Sequence, residues 1–143
     1  MSRSKVGKQN VLEFAVKFHG HLGPYLVLGL RMGMAAIRIL KPHGLHELSV
    51  KVWTKMTPPE SCLVDGIQVS SGCTLGKANI SVENSRRIGV EFRKADRRVV
   101  IRLSEKSKRT LASLKKPTPQ ITLNELATSL YRAPDRQLFV INR

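Results

Sequence analysis

The chain has 143 residues, 41% of them apolar and 24% charged, which is enough for one buried core and too apolar for a disordered segment. Its formal net charge is +15, from 25 Lys+Arg against 10 Asp+Glu, so it attracts anions: nucleic acid, phosphorylated cofactors or an acidic partner. Two cysteines exclude a disulfide scaffold, no apolar run reaches the ~18 residues of a membrane span, and the N-terminal MSRSKVGKQN lacks the apolar stretch of a signal peptide; the expectation is a cytoplasmic protein with reduced thiols.

Asn10 to Phe18 predicts a first helix, with Asn10 as cap and Val11, Phe14, Ala15 and Phe18 on one face. The chain breaks at His19-Gly20-His21-Leu22-Gly23, and Pro24 suits the first turn of a second helix reaching about Leu40. Gly29 and Gly33 lie four apart on that helix, a spacing explained by close packing. Leu48 to Met56 alternates as a strand, with Leu48, Val50, Val52 and Thr54 on one face and Trp53 assigned to the core. A short helix follows from about Glu60 to Ser70, ended by Gly72. Strand-like runs come at 80–82, 88–92 and 99–103, with Asn84-Ser85 and Ala95-Asp96 as hairpin turns, which predicts an antiparallel meander. Lys106 to Lys115 reads as a weak basic helix. Thr122 and Glu125 predict a capping box opening a last helix that ends near Ala133, and Leu138 to Ile141 forms a final strand or packed tail. The order is that of a single α+β domain over residues 1–143.

Charge is uneven along the chain. Residues 86–116 hold 12 Lys+Arg against 3 Asp+Glu. The preferred reading is the solvated outer face of a sheet and helix. The alternative is a face that docks nucleic acid or an acidic partner protein, although Phe92 is the only aromatic residue there to stack on a base.

Two islands hold the chemistry-bearing residues. In the first, His19 and His21 straddle Gly20 ahead of the Pro24 helix; in an extended segment both imidazoles face one way, beside a helix N-terminus that favours an anion. In the second, Cys62 falls in the first turn of the short helix, a position that lowers a thiol pKa, and Asp65 shares its face. Cys, Asp and His are all zinc ligands. Cys73 lies eleven residues beyond Cys62, or ~16 Å along an unbroken helix. Either it folds back, or it meets Cys62 of a second chain, or it is no ligand. Ser71, Gly72, Gly76, Lys77 and Asn79 have the composition of an anion-binding loop but no Walker pattern. His43 and His46 are read as solvated.

These islands resemble the FmdE family, whose name comes from formylmethanofuran dehydrogenase. The matching segments are Phe18-His19-Gly20-His21-Leu22 with Pro24, Gly29-Leu30-Arg31, Glu60 to Gln68, and Ser71-Gly72-Cys73-Thr74-Leu75-Gly76-Lys77-Ala78-Asn79. The resemblance implies an α-β-α-β-β-β core with a mixed sheet, similar to the second domain of glyceraldehyde-3-phosphate dehydrogenase. It implies a homodimer and a transition metal, zinc before others, with His19, His21, Cys62 and Cys73 as candidate ligands. Asp65, Gln68, Lys77 and Asn79 would line the pocket. It also suggests a link to a molybdenum or tungsten dehydrogenase complex of one-carbon metabolism, as enzyme or accessory component. Two departures stand out: position 23, often cysteine in the family, is Gly23, and no cysteine follows Cys73 to build the C-terminal zinc finger of many members.

Overall fold

The computed structural model describes residues 8–44 and 46–143; the signal-peptide reading falls mostly on residues 1–7, outside the described residues. Helix α1 (Lys8–His19) is already formed before Asn10, which therefore does not cap it. Ala15 is its buried anchor, while Phe14 and Phe18 turn outward, 61% and 54% exposed, against the expected shared apolar face. Helix α2 (Pro24–Leu40) opens on its proline and is buried along most of its length. Strand β1 (Leu48–Thr54) buries Leu48, Val50, Val52 and Thr54, as its alternation predicts. The same period turns Trp53 to the other face, so it is not core: its Nε1 donates to Glu83 at 3.0 Å.

Helix α3 (Cys62–Ser71) ends at Gly72 and leads into β2 (Ile80–Asn84), which pairs parallel with β1. The meander is therefore wrong at its first step. The β1–α3–β2 crossover returns the chain in the same direction, and the sheet order is β2-β1-β3-β4-β5. Asn84-Ser85 is no hairpin turn: Ser85 N–H donates to the Thr54 carbonyl, and residues 85–88 lead past the end of β1 to β3 (Gly89–Lys94) on its far side. The β3–β4 hairpin does form, with Ala95 at a φ of 54° in the turn before β4 (Arg97–Leu103). The sequence α2-β1-α3-β2-β3-β4 is the α-β-α-β-β-β unit expected, on a mixed five-stranded sheet.

Beyond it, Ser104 caps α4 (Glu105–Ala112) by accepting from Ser107 N–H. Helix α5 (Gln120–Arg132) starts behind Pro119, whose fixed φ opens the helix before Thr122, so the capping box does not form. The one-turn α6 (Asp135–Leu138) precedes β5 (Phe139–Asn142), a true strand antiparallel to β4.

One face of the sheet packs Val52, Val90, Phe92 and Ile101 against Val27, Leu28, Leu63 and Ile67 of α2 and α3. The two helices touch backbone to backbone. A Cβ added at Gly29 would sit 2.0 Å from the Leu63 carbonyl oxygen, and one at Gly66 would sit 2.1 Å from that of Leu26. Arg31 of α2, 8% exposed, ties down the C-terminal helices. Its Nη1 donates to the carbonyls of Leu130 (3.0 Å) and Tyr131 (2.7 Å), and its Nη2 to Asp135 (2.7 Å), which Arg38 also meets. Among the described residues, no helix is long and apolar enough to cross a membrane.

Candidate functional site

The two histidines do meet, by a different route from the one expected. His19 is the last residue of α1, and Gly20, at a φ of +108°, reverses the chain so that His21 folds back beside it. The ring centroids are 4.6 Å apart. His19 Nδ1–H donates to the Asp65 carboxylate at 2.6 Å. Its Nε2 is buried and has no hydrogen-bond partner. His21 Nδ1–H donates to the Leu22 carbonyl at 3.2 Å, which fixes the tautomer with Nε2 as the acceptor nitrogen. Asp65 is itself braced: Gln68 Nε2 approaches its other oxygen at 3.5 Å, while Gln68 Oε1 accepts from Leu75 N–H at 3.1 Å. Asp65 and Gln68 thus hold His19 from behind.

Cys62 lines the same cleft as both histidines. Its thiol pKa is raised, not lowered as its place at a helix N-terminus predicts. Burial pushes it up first, and the negative charges of Asp65 and Glu60 add to that against a smaller opposing effect of the backbone amide. Tyr25 is pushed up in the same way, by burial and then by Glu60.

Cys73 is not in this cleft. After Gly72 it turns into the core, 1% exposed, with Sγ 3.6 Å from the Leu48 carbonyl oxygen. Asn79 Oδ1 accepts from Thr74 N–H, and Thr74 Oγ1 accepts from Lys77 N–H. The 73–79 loop therefore spends its amides on its own side chains, which removes the basis for reading it as an anion loop. Lys77 and Asn79 do not line the cleft. His43 and His46 are exposed. Among the described residues, no three His, Cys, Asp or Glu side chains gather closely enough to hold a metal ion by themselves.

The cleft is large, about 1250 Å³. Sequence reasoning misses its far wall: Lys55, Arg86, Arg87, Arg102, Lys108 and Lys116 line it, with Glu60 as the only carboxylate among the described residues there. The basic segment foreshadows them only as a count. Their gathering depends on the 85–88 passage, which the turn residues suggest is a hairpin. The rest of that segment is structural. Arg93 and Arg98 pair with Glu91 on the open sheet face, Lys94 donates to the Leu40 and Lys41 carbonyls, and Arg97 donates to that of Ile39 at the C-terminal end of α2.

A family model described as "FmdE, Molybdenum formylmethanofuran dehydrogenase operon" matches residues 18–140, from the residue before the first histidine into β5. The chain belongs to the FmdE family. Among solved structures, an FmdE-like protein of tungsten formylmethanofuran dehydrogenase type, from Syntrophus aciditrophicus, superposes with a TM-score of 0.63 at 16% identity, covering 99% of this chain and 73% of that one. At that identity the likeness establishes a shared FmdE fold. A probable S-adenosyl-L-methionine-binding protein of Archaeoglobus fulgidus is 36% identical over 70 residues, which are 46% of this FmdE chain. The match spans only 18% of that relative's length.

Proposed function

We propose that this FmdE-family chain is a metal-binding protein that serves a formylmethanofuran dehydrogenase or related one-carbon system, with its metal held at the His19–His21–Cys62 end of the cleft. The observation that carries the reading is the state of His19. A buried imidazole nitrogen without a partner is costly, and Asp65 holds the opposite nitrogen, as carboxylates do behind metal-bound histidines. Two imidazoles and one thiol are a donor set suited to zinc. Cys73, in the core, is left out of the proposed set. With fewer than four protein ligands in one copy, the remaining positions are open to water, substrate or a second copy of the chain. A bound metal would supply Lewis acidity. The chain's own share is to fix the His19 tautomer through Asp65, to keep the Cys62 thiol close for ligation, and to wall the cleft with Tyr25 and Leu26. Metal binding would draw the proton from Cys62 and offset its raised pKa.

The test is elemental analysis of gently purified protein beside His19→Ala and Cys62→Ser. Stoichiometric metal in wild type, lost in His19→Ala and reduced in Cys62→Ser, supports the reading. Absence of metal after reconstitution defeats it. A homodimer is part of the proposal, and the exposed Phe14 and Phe18, one helical turn apart, give a second copy an apolar surface to cover. Sedimentation of Phe14→Asp/Phe18→Asp should then show monomer.

The alternative is a binding module whose basic segment docks nucleic acid or an acidic partner protein. The unpaired cations at the cleft favour an anionic partner of some kind. Nucleic-acid binding at low salt that weakens steeply as salt rises would favour it over the metal reading. The ligand named for the Archaeoglobus relative transfers poorly, because a cationic sulfonium is repelled by a cleft lined with arginine and lysine.

A further inference from the structure

The cationic wall and the histidine end belong to one cleft, and several of the cations are there without partners. Lys55 approaches Glu60 at 4.0 Å and Lys108 meets Glu105 at 3.2 Å. The side chains of Arg86, Arg87 and Lys116 make no ion pair or hydrogen bond among the described residues. Elsewhere in the same segment Arg93, Arg98, Lys94 and Arg97 are all engaged. Unspent positive charge is therefore concentrated where the chain is concave. The walls between are apolar, supplied by Ile88, Leu111, Leu114 and Leu123.

We propose that the cleft binds a small organic phosphate. Its phosphate or diphosphate group sits among Arg86, Arg87 and Lys116, and its body lies along Ile88, Leu111 and Leu114 toward the histidines. Arginine forks match phosphate oxygens in pairs, and the two neighbouring arginines offer two such forks at one place. Apolar walls with a few convergent polar groups are the usual make-up of a small-ligand site, and a volume of about 1250 Å³ accommodates a nucleotide-sized molecule. A nucleic-acid strand is the poorer fit. Its bases would need a row of stacking platforms, and among the described residues Tyr25 is the only phenyl or indole ring lining the cleft. The phosphate site rests on the cations alone; only the direction of the ligand's body rests on the metal reading above.

The protein carries its own reporter. Trp53 is the single tryptophan, and the Arg102 guanidinium, which lines the cleft, lies 5.6 Å from its ring centroid. ADP, pyrophosphate and a duplex oligonucleotide are titrated into the purified protein, read by calorimetry and by Trp53 fluorescence. ADP and pyrophosphate should each bind one per chain, with ADP tighter because its body meets the apolar wall. Arg86→Gln/Arg87→Gln should weaken both by about tenfold or more with an unchanged melting temperature, since charge-assisted contacts to both arginines are lost from exposed positions. His19→Ala should retain ADP binding even where it loses metal, which separates this site from the metal reading. No binding of either probe at low salt, or equal binding by the double-arginine variant, overturns the proposal. So does a duplex that outcompetes ADP, or loss of ADP binding in His19→Ala alone.

Discussion

Two charged pairs tie distant parts of this chain together, and they are finished to different degrees. Arg31 and Asp135 meet at 2.7 Å, and Arg31 spends its remaining donors on two carbonyls at the end of α5 while Arg38 covers the second carboxylate oxygen. His19 and Asp65 meet at 2.6 Å, yet the far nitrogen of His19 is buried with nothing to bond. A satisfied buried pair is a structural rivet. A half-satisfied one costs stability that a fold has no reason to retain unless something else completes it. Burial distinguishes them little, for both cationic side chains are about 10% exposed. The hydrogen-bond account is what separates scaffold from site.

The comparison can be broken by substitution. Arg31→Met should cost about 3–5 kcal/mol in urea unfolding, because it strands two carbonyls and a partly buried carboxylate, and it should leave metal content per folded chain unchanged. A loss under about 1 kcal/mol would remove its standing as a rivet. Asp65→Asn should lower metal affinity about 10- to 100-fold, read by competition with a chelator, while metal-free stability moves by only about 1 kcal/mol. Equal metal affinity in that variant would leave the His19–Asp65 pair as plain packing.

Gly23→Cys sharpens the contrast from the other side. Gly23 has an extended backbone with φ −159°, and a Cβ there would stand 3.5 Å from His21 Cε1. The added thiol should tighten metal binding, again read against a chelator, with little effect on the fold. The smallest effect concerns pH. Burial alone would raise the Asp135 carboxyl, but the hydrogen bonds and charges of Arg31 and Arg38 outweigh it and hold it below its ordinary value. That stabilisation is complete above the ordinary carboxylate pKa and is lost as pH falls through the lowered folded one. Acid unfolding of wild type should therefore steepen in that window, and Arg31→Met should flatten it.

Local signals in the sequence are dependable where the decisive contact is local. The β3–β4 hairpin follows from its two-residue turn, and α2 from Pro24 at its start. The alternation of β1 is legible, but size argues Trp53 into the core where parity turns it out, and parity prevails. Phe14 and Phe18 mislead for the same reason. The parallel β1–β2 pair is hidden because it depends on where α3 packs, which no turn residue announces. For the site, the His-x-His spacing and Cys62 are visible, whereas the cationic wall requires knowing that 85–88 leads past the end of β1. Arg31 stands out only within a family-like string; its distant partners, Leu130 and Asp135, give no local signal.

The glycine seam between α2 and α3 has a consequence for how such a protein can diversify. Where a layer of side chains separates two helices, substitution can nudge one against the other by fractions of an ångström. Here carbonyl oxygens stand where Cβ atoms would be, so the spacing has no adjustable shim. The start of α2, just after His21 and Gly23, and the start of α3 at Cys62 are gauged against each other by peptide groups alone. Variation in what the cleft accepts must then come from its replaceable fittings: position 23, the 85–88 passage, and the α4 end with its following linker. A fixed gauge with exchangeable jaws lets one frame take up new ligands while its reactive end keeps its alignment.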